Sequence, residues 1–186
     1  GTCYNCSIRC WKYTQAKSGK YRVKELAGPE YETIVLMGSN CGVNSLKAIA
    51  YANLLCDDLG LDTISAGNTI AFAMECYERG ILNGKDTNGL KLRFGDVDAE
   101  VEMVKRIAHR KGLGNILAEG VQGASEKIGG GSKKFAVHVK GMEVPGYDPR
   151  GAFGMALAYA TSDRGACHQR AWTVRAETQG KLTPIY

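Results

Sequence analysis

A chain of 186 residues, 44% hydrophobic and 23% charged, has the apolar content for one large core or two small ones, which excludes a disordered protein. The net charge of +5 is mild and reads as scattered, so composition alone does not point to nucleic acid, and with no signal peptide and no apolar run of membrane-spanning length, no membrane span is expected. Seven cysteines, an odd number with three of them clustered, fit metal ligation in a reducing compartment better than a secreted disulfide scaffold, so the cytoplasm is the expected location.

Cys3, Cys6 and Cys10 open the chain as a C-x2-C-x3-C run. Three thiolates this close can converge on one inorganic centre. A [4Fe–4S] cluster takes four, the last usually from far along the chain. Zinc is the rival, but its sites more often pair C-x2-C with a second C-x2-C or with two histidines, and neither occurs here. The spacing favours iron–sulfur over zinc, and either over three free thiols. The chain has no initial Met and starts at this run, so it reads as a piece of a longer polypeptide.

Alternating Tyr21 and Val23 after a Lys-Ser-Gly-Lys turn predict an extended or hairpin segment over 11–23. Gly28-Pro29 marks a loop. Glu30 and Glu32 follow it; they point apart if this piece is extended, and otherwise serve as surface charge or as carboxylates at a helix start. Apolar periodicity predicts helices over 44–59, 62–78, 98–110 and from 115 to about 129, with Asn44 as a cap and Gly60, Gly80, Gly112 and Gly129 as stops. Three glycines and a serine at 129–132 read as a flexible connection. Residues 134–140 read as a strand with Phe135, Val137 and Val139 on one face and His138 on the other. A turn-rich loop follows over 145–151, then a tightly packed small-residue helix over 152–161. The fold class is mainly α with minor β. An approximate division falls between 1–130, the first helical domain, and 131–186, the start of the next segment.

Several residues stand out chemically. Asp62 caps a helix by accepting its free N–H groups. Asp57 sits in the last turn of the preceding helix, facing the negative end of its dipole; it is a tolerated surface charge or, if buried, a carboxylate that needs donors such as an N–H-rich heterocycle. His168 follows Cys167 in a Gly-rich loop beside Arg164, Gly165 and Arg170, an anion-friendly setting for a residue type that is otherwise more often structural. His109 on a basic helix end and His138 receive no role. Cys41, Cys56, Cys76 and Cys167 lack metal-type spacing and read as packing residues.

Taken in order, the cysteine run, the Gly28-to-Thr33 stretch, the D-x-x-G-L-D box at Asp57–Asp62, the K-G-M-E-V-P-G-Y-D-P-R-G segment at 140–151 and the 160–168 segment resemble the tungsten-containing aldehyde:ferredoxin oxidoreductase family over nearly the whole chain. The resemblance implies two mostly helical C-terminal domains that follow a β-rich N-terminal pterin-binding domain, absent here. It implies tungsten, or molybdenum, held by two pterin dithiolenes at their interface beside a [4Fe–4S] cluster, with ferredoxin as electron acceptor. By position it assigns Cys3, Cys6 and Cys10 to the cluster, Asp57, Gly60, Leu61 and Asp62 to the pterin, and Glu32 and His168 to the neighbourhood of the metal, as catalytic residues.

Two departures from the family pattern are visible. The second box, D-x-x-G-L-C, which supplies the family's fourth cluster cysteine, does not occur before Tyr186. The Glu and His that bridge iron between subunits in some members have no counterpart around 50–103, which leaves a homodimer open but not that bridge. The implied activity of the parent is oxidation of an aldehyde to a carboxylic acid. The alternatives are a reductive enzyme of the benzoyl-CoA reductase type and, from another class, a non-catalytic helical fragment or a zinc-binding interaction module.

Overall fold

A computed structural model describes residues 1–178. The predicted hairpin is present: β1 (Tyr13–Ala16) pairs antiparallel with β2 (Val23–Ala27), with Tyr13 opposite Ala27 and an irregularity after Thr14. Its inward residues Ala16, Val23 and Leu26 pack on Ala50 and Leu54 of the next long helix. The buried positions do not alternate strictly, since Val23 and Leu26 stand three apart opposite a strand with a register irregularity, yet they anchor one side of the hairpin to the helix. The Gly28-Pro29 loop leads into α1 (Tyr31–Leu36), so of the readings for Glu32 the helix-start carboxylate holds.

Helices α2 (Leu46–Leu59) and α3 (Thr63–Glu78) form the centre of the main core. Ser45, rather than Asn44, caps α2 by accepting the Ala48 N–H at 3.4 Å. Gly60, at φ +71°, ends it as expected, and Asp62 caps α3 by accepting the Ser65 N–H at 2.7 Å. Helix α4 (Val97–Ala108) starts a residue earlier than predicted, because Asp96 supplies the cap to the Ala99 N–H.

The helix expected from 115 to 129 is two, α5 (Leu113–Leu117) and α6 (Gly120–Ile128). Gly120 makes the break at φ +74°, a conformation that costs most other residues about 1 kcal/mol or more. Apolar periodicity carries through such a break, so the pattern alone does not reveal it.

The strand expected over 134–140 is also corrected. Ser132–Phe135 forms a 3-10 turn, and only β3 (His138–Val139) is extended, pairing with β4 (Met142–Glu143). Lys140 and Gly141, both at positive φ, fold the chain back at once. Phe135 leaves the strand to pack against Phe72 at 5.6 Å, and Val137 is exposed. Helix α7 (Phe153–Thr161) lies where predicted but is not packed all round: Phe153 and Leu157 are 77% and 65% exposed. A short α8 (Val174–Thr178) follows.

The main core gathers residues of α2 to α6, and a separate apolar cluster gathers Ala152, Met155, Tyr159, Ala166 and Val174 around α7. Eight α-helices and two small hairpins make the described residues mainly helical. Cys41, Cys56, Cys76 and Cys167 are buried packing residues, as expected. Among the described residues no helix is long and apolar enough to cross a membrane.

Candidate functional site

Glu32 lies in the first turn of α1, half-buried, and its Oε2 accepts the Gly146 N–H at 2.6 Å. Only glycine allows that approach: a Cβ at 146 would lie 2.8 Å from Val35 Cγ1 and 3.1 Å from Glu32 Oε2. The other oxygen, Oε1, is buried and has no hydrogen-bond partner among the described residues. Burial raises the affinity of Glu32 for its proton; the Gly146 N–H and nearby His168 oppose the rise, and Asp62 adds to it. Glu32, Asp62 and His168, far apart in sequence, therefore share one electrostatic neighbourhood.

Aromatic rings hold the loop that brings them together. Tyr31 stacks on Tyr147 with centroids 4.8 Å apart and donates its hydroxyl to Gly146 O at 3.3 Å. Tyr159 of α7 donates to Tyr147 O at 3.3 Å, and the Tyr147 ring lies 6.2 Å from His168. Loop 145–147 is thus pinned between α1 and α7. Beside it opens a cleft of about 330 Å³, lined among others by Asp62, Ser65, Glu143, Arg164, Cys167 and His168.

Glu143 was not singled out from the sequence. It is 5% exposed, its Oε1 accepts the Val121 N–H at 2.7 Å, and its Oε2 accepts the Ser65 hydroxyl at 2.9 Å. Ser65 in turn gives its N–H to Asp62, so one buried carboxylate ties β4, the start of α6 and the start of α3 together. Gly120 makes room for it: a Cβ there would lie 2.7 Å from Glu143 Oε1.

The Asp57–Asp62 box forms the corner between α2 and α3. Gly60 turns it, Leu61 packs on the main core, and both aspartates are exposed. Asp57 accepts one bond, from Asn53 Nδ2 at 2.9 Å, and Asp62 uses one oxygen for the cap. The second oxygen of each has no hydrogen bond among the described residues. Asn53, 5% exposed, is the donor that the sequence reading lacked.

The cysteine run does not line the cleft; it lies on a loop at the base of the β1–β2 hairpin. The Gly1 nitrogen donates to Trp11 O at 3.1 Å, closing the loop, and Lys12 pairs with Glu30 at 3.1 Å, setting its base beside the start of α1. Cys3 and Cys10 are exposed and Cys6 half-exposed. No three His, Cys, Asp or Glu side chains among the described residues converge as a metal site, so the three thiols are not drawn together.

A family described as aldehyde ferredoxin oxidoreductase, domains 2 and 3, matches residues 1–185. The chain belongs to that family. It is 41% identical over 181 residues to the tungsten-containing aldehyde ferredoxin oxidoreductase of Pyrococcus horikoshii, covering 96% of this chain and 29% of that protein. It is 37% identical over 171 residues to the WOR-like subunit of an aliphatic sulfonate oxidoreductase of Pyrococcus furiosus, covering 89% of this chain and 27% of that one. Among solved structures it resembles the active-site complex BamBC of benzoyl coenzyme A reductase bound to 1,5-dienoyl-CoA, with a TM-score of 0.71 and 25% identity over 88% of this chain and 24% of that one. The chain thus spans under a third of the length of these relatives.

For this aldehyde ferredoxin oxidoreductase family chain, Glu143 is the residue on which the cleft's geometry depends. Glu143→Ala is expected to lower stability by about 2–4 kcal/mol, since it leaves the buried Val121 N–H unpaired and opens a cavity. Glu143→Gln keeps an acceptor for that N–H and is expected to cost about 1 kcal/mol. Urea unfolding of both variants at pH 7 measures the difference; equal losses would contradict the hydrogen-bonding role.

Proposed function

We propose that the chain is part of a tungsten-pterin, [4Fe–4S] oxidoreductase that oxidises an aldehyde and water to a carboxylic acid and passes two electrons to ferredoxin. The observation that carries this reading is that Glu32 lies within the electrostatic reach of His168, which lines the cleft. A half-buried carboxyl with raised proton affinity and one oxygen that has no hydrogen bond among the described residues is what a proton acceptor for the reacting water requires.

The residues fit the implied groups in kind. The open carboxylate oxygens of Asp57 and Asp62 suit the N–H donors of a pterin, held by the corner that Gly60 and Leu61 shape. Cys3, Cys6 and Cys10 are accessible thiols of the number and spacing that a cluster takes, with a fourth ligand to come from outside the described residues. A bound tungsten-pterin supplies the electron sink for oxidation at the carbonyl carbon. The chain's own work is to orient Glu32 through Gly146, to hold His168 beside it through Tyr147, and to take up the proton released from water.

The likeness to the benzoyl coenzyme A reductase complex with 1,5-dienoyl-CoA supports a second reading, a reductive enzyme acting on an aromatic thioester, for which Glu32 and His168 would donate the proton. Residues 1–130 and 131–186 are read as two units of the larger enzyme, in keeping with the separate apolar cluster around α7.

Metal and acid-labile sulfide analysis of the full-length protein, purified without oxygen, tests the reading. About four iron and four sulfide per cluster are expected, with tungsten or molybdenum. Zinc without sulfide would turn the reading to an interaction module.

A further inference from the structure

The positive charge of this chain is not scattered. The first 24 residues carry Arg9, Lys12, Lys17, Lys20, Arg22 and Lys24 and no Asp or Glu, so residues 25–186 hold 18 Lys and Arg against 19 Asp and Glu. The whole excess sits on the cysteine loop and the hairpin that grows from it. All six side chains are exposed. Two are neutralised, Lys12 by Glu30 and Lys20 by Asp98 at 2.5 Å. Arg9, Lys17, Arg22 and Lys24 have no ion pair or side-chain hydrogen bond among the described residues.

The hairpin is built to present this charge. Ala16, Val23 and Leu26 fasten one face to α2, and Tyr21 is held at the tip by its bond to Asp98 and its contact with Tyr51 at 5.7 Å. Lys17, Arg22 and Lys24 are left on a braced arm rather than on a loose loop. From base to tip the arm spans about 15–20 Å at roughly 3.3 Å per residue. A protein footprint of about 800 Å² per partner is roughly 30 Å across, so one docked molecule would cover both the arm and the cysteine loop.

We infer that the β1–β2 hairpin is the docking arm for a small acidic electron-carrier protein, which it seats over the cysteine loop. The inference rests on the reading of Cys3, Cys6 and Cys10 as cluster ligands, and it adds the surface that recruits the acceptor. Complementary charge of this kind steers encounter and sets register. Single-stranded nucleic acid would need aromatic rings interleaved with the cations. Here the exposed aromatics Tyr4, Trp11 and Tyr13 lie at the base and the unpaired cations mainly at the tip, while Tyr21 is engaged. The acidic protein is therefore the occupant that the arrangement favours.

The test is titration calorimetry of the full-length protein with an acidic ferredoxin at low and at 0.3 M salt. Lys17→Glu/Arg22→Glu/Lys24→Glu is expected to weaken binding about tenfold or more at low salt and to flatten the salt dependence. The triple Gln variant should fall between, and dye-linked turnover with methyl viologen should stay within twofold. Far-UV circular dichroism verifies the fold of each variant. Ferredoxin binding equal in parent and variants overturns the arm, as does tighter binding of a 20-nucleotide DNA strand than of ferredoxin. Arm-dependent ferredoxin binding by a protein without iron and sulfide upholds the docking surface and overturns the cluster reading instead.

Discussion

Glu32→Gln in the full-length protein is expected to lower kcat about 100-fold or more, with KM within a few-fold, because removing a positioned general base costs about 10²–10⁴ in rate. The reason is local. Glu32 is oriented by one strong donor, the Gly146 N–H, and its other oxygen is buried and unspent. Glutamine keeps the size and an acceptor for Gly146 but cannot take a proton. Its carboxyl titrates above the ordinary glutamate range, chiefly because burial disfavours the charge. Activity should thus fall as pH drops through that raised value, and this acid limb should vanish in the variant. His168→Ala should lose a comparable factor. The double variant should lose little more than the worse single one, since both act on one proton. Stability gives the control. A raised folded-state pKa means that the ionised carboxylate weakens the fold at higher pH, so Glu32→Gln should not destabilise at pH 8. Steady-state kinetics between pH 5 and 9 with a dye acceptor, alongside urea unfolding, separates the roles. Unchanged turnover would sink the acid–base reading.

Stability should fall as pH rises from about 4.5 to about 8, and Glu100 should be the largest single cause. It lies wholly buried on α4, and neither carboxylate oxygen has a hydrogen bond among the described residues. The nearby Cys41 thiol could help, but it already faces the Leu36 and Gly67 carbonyls at 3.4 and 3.5 Å. Burial pushes the carboxyl up to about 8, only slightly opposed by that thiol. The folded value lies above the unfolded one, so the protonated acid is what the fold accommodates. Its contribution is complete below pH 4.5 and is lost at about 1.4 kcal/mol per unit as pH rises towards 8. Glu100→Met, similar in size and without a charge, is expected to add on the order of 2–4 kcal/mol at pH 8 and little at pH 4.5. Urea midpoints of parent and variant at both pH values measure it. An equal difference at both would mean that Glu100 finds a partner when ionised.

Legibility in the sequence followed the range of the interaction. Helices α2, α3 and α7 were readable because their signals are local: Gly60 turns left-handed, Asp62 caps three residues ahead, and apolar residues repeat with the helical period. The four buried cysteines were readable as packing because no ligand spacing surrounds them. The break between α5 and α6 is not readable, since periodicity runs through a single glycine that a distant carboxylate requires, and the shrunken strand at 138–139 is not, since alternation runs into the turn that Lys140 and Gly141 make at positive φ.

A mainly helical chain, the order of its motifs and its family are all written in local residue patterns. Those rest on short-range patterns and on matches residue by residue. Which carboxylates come together depends instead on how the helices pack. That packing set Glu32 against Gly146, 114 positions away, and Glu143 against Ser65, 78 positions away. It also left the cysteine loop out of the cleft's lining and buried Glu100 with no hydrogen bond among the described residues. A side chain's burial and its partners depend on which helices meet, and no local pattern encodes a hydrogen bond whose two ends lie far apart on the chain.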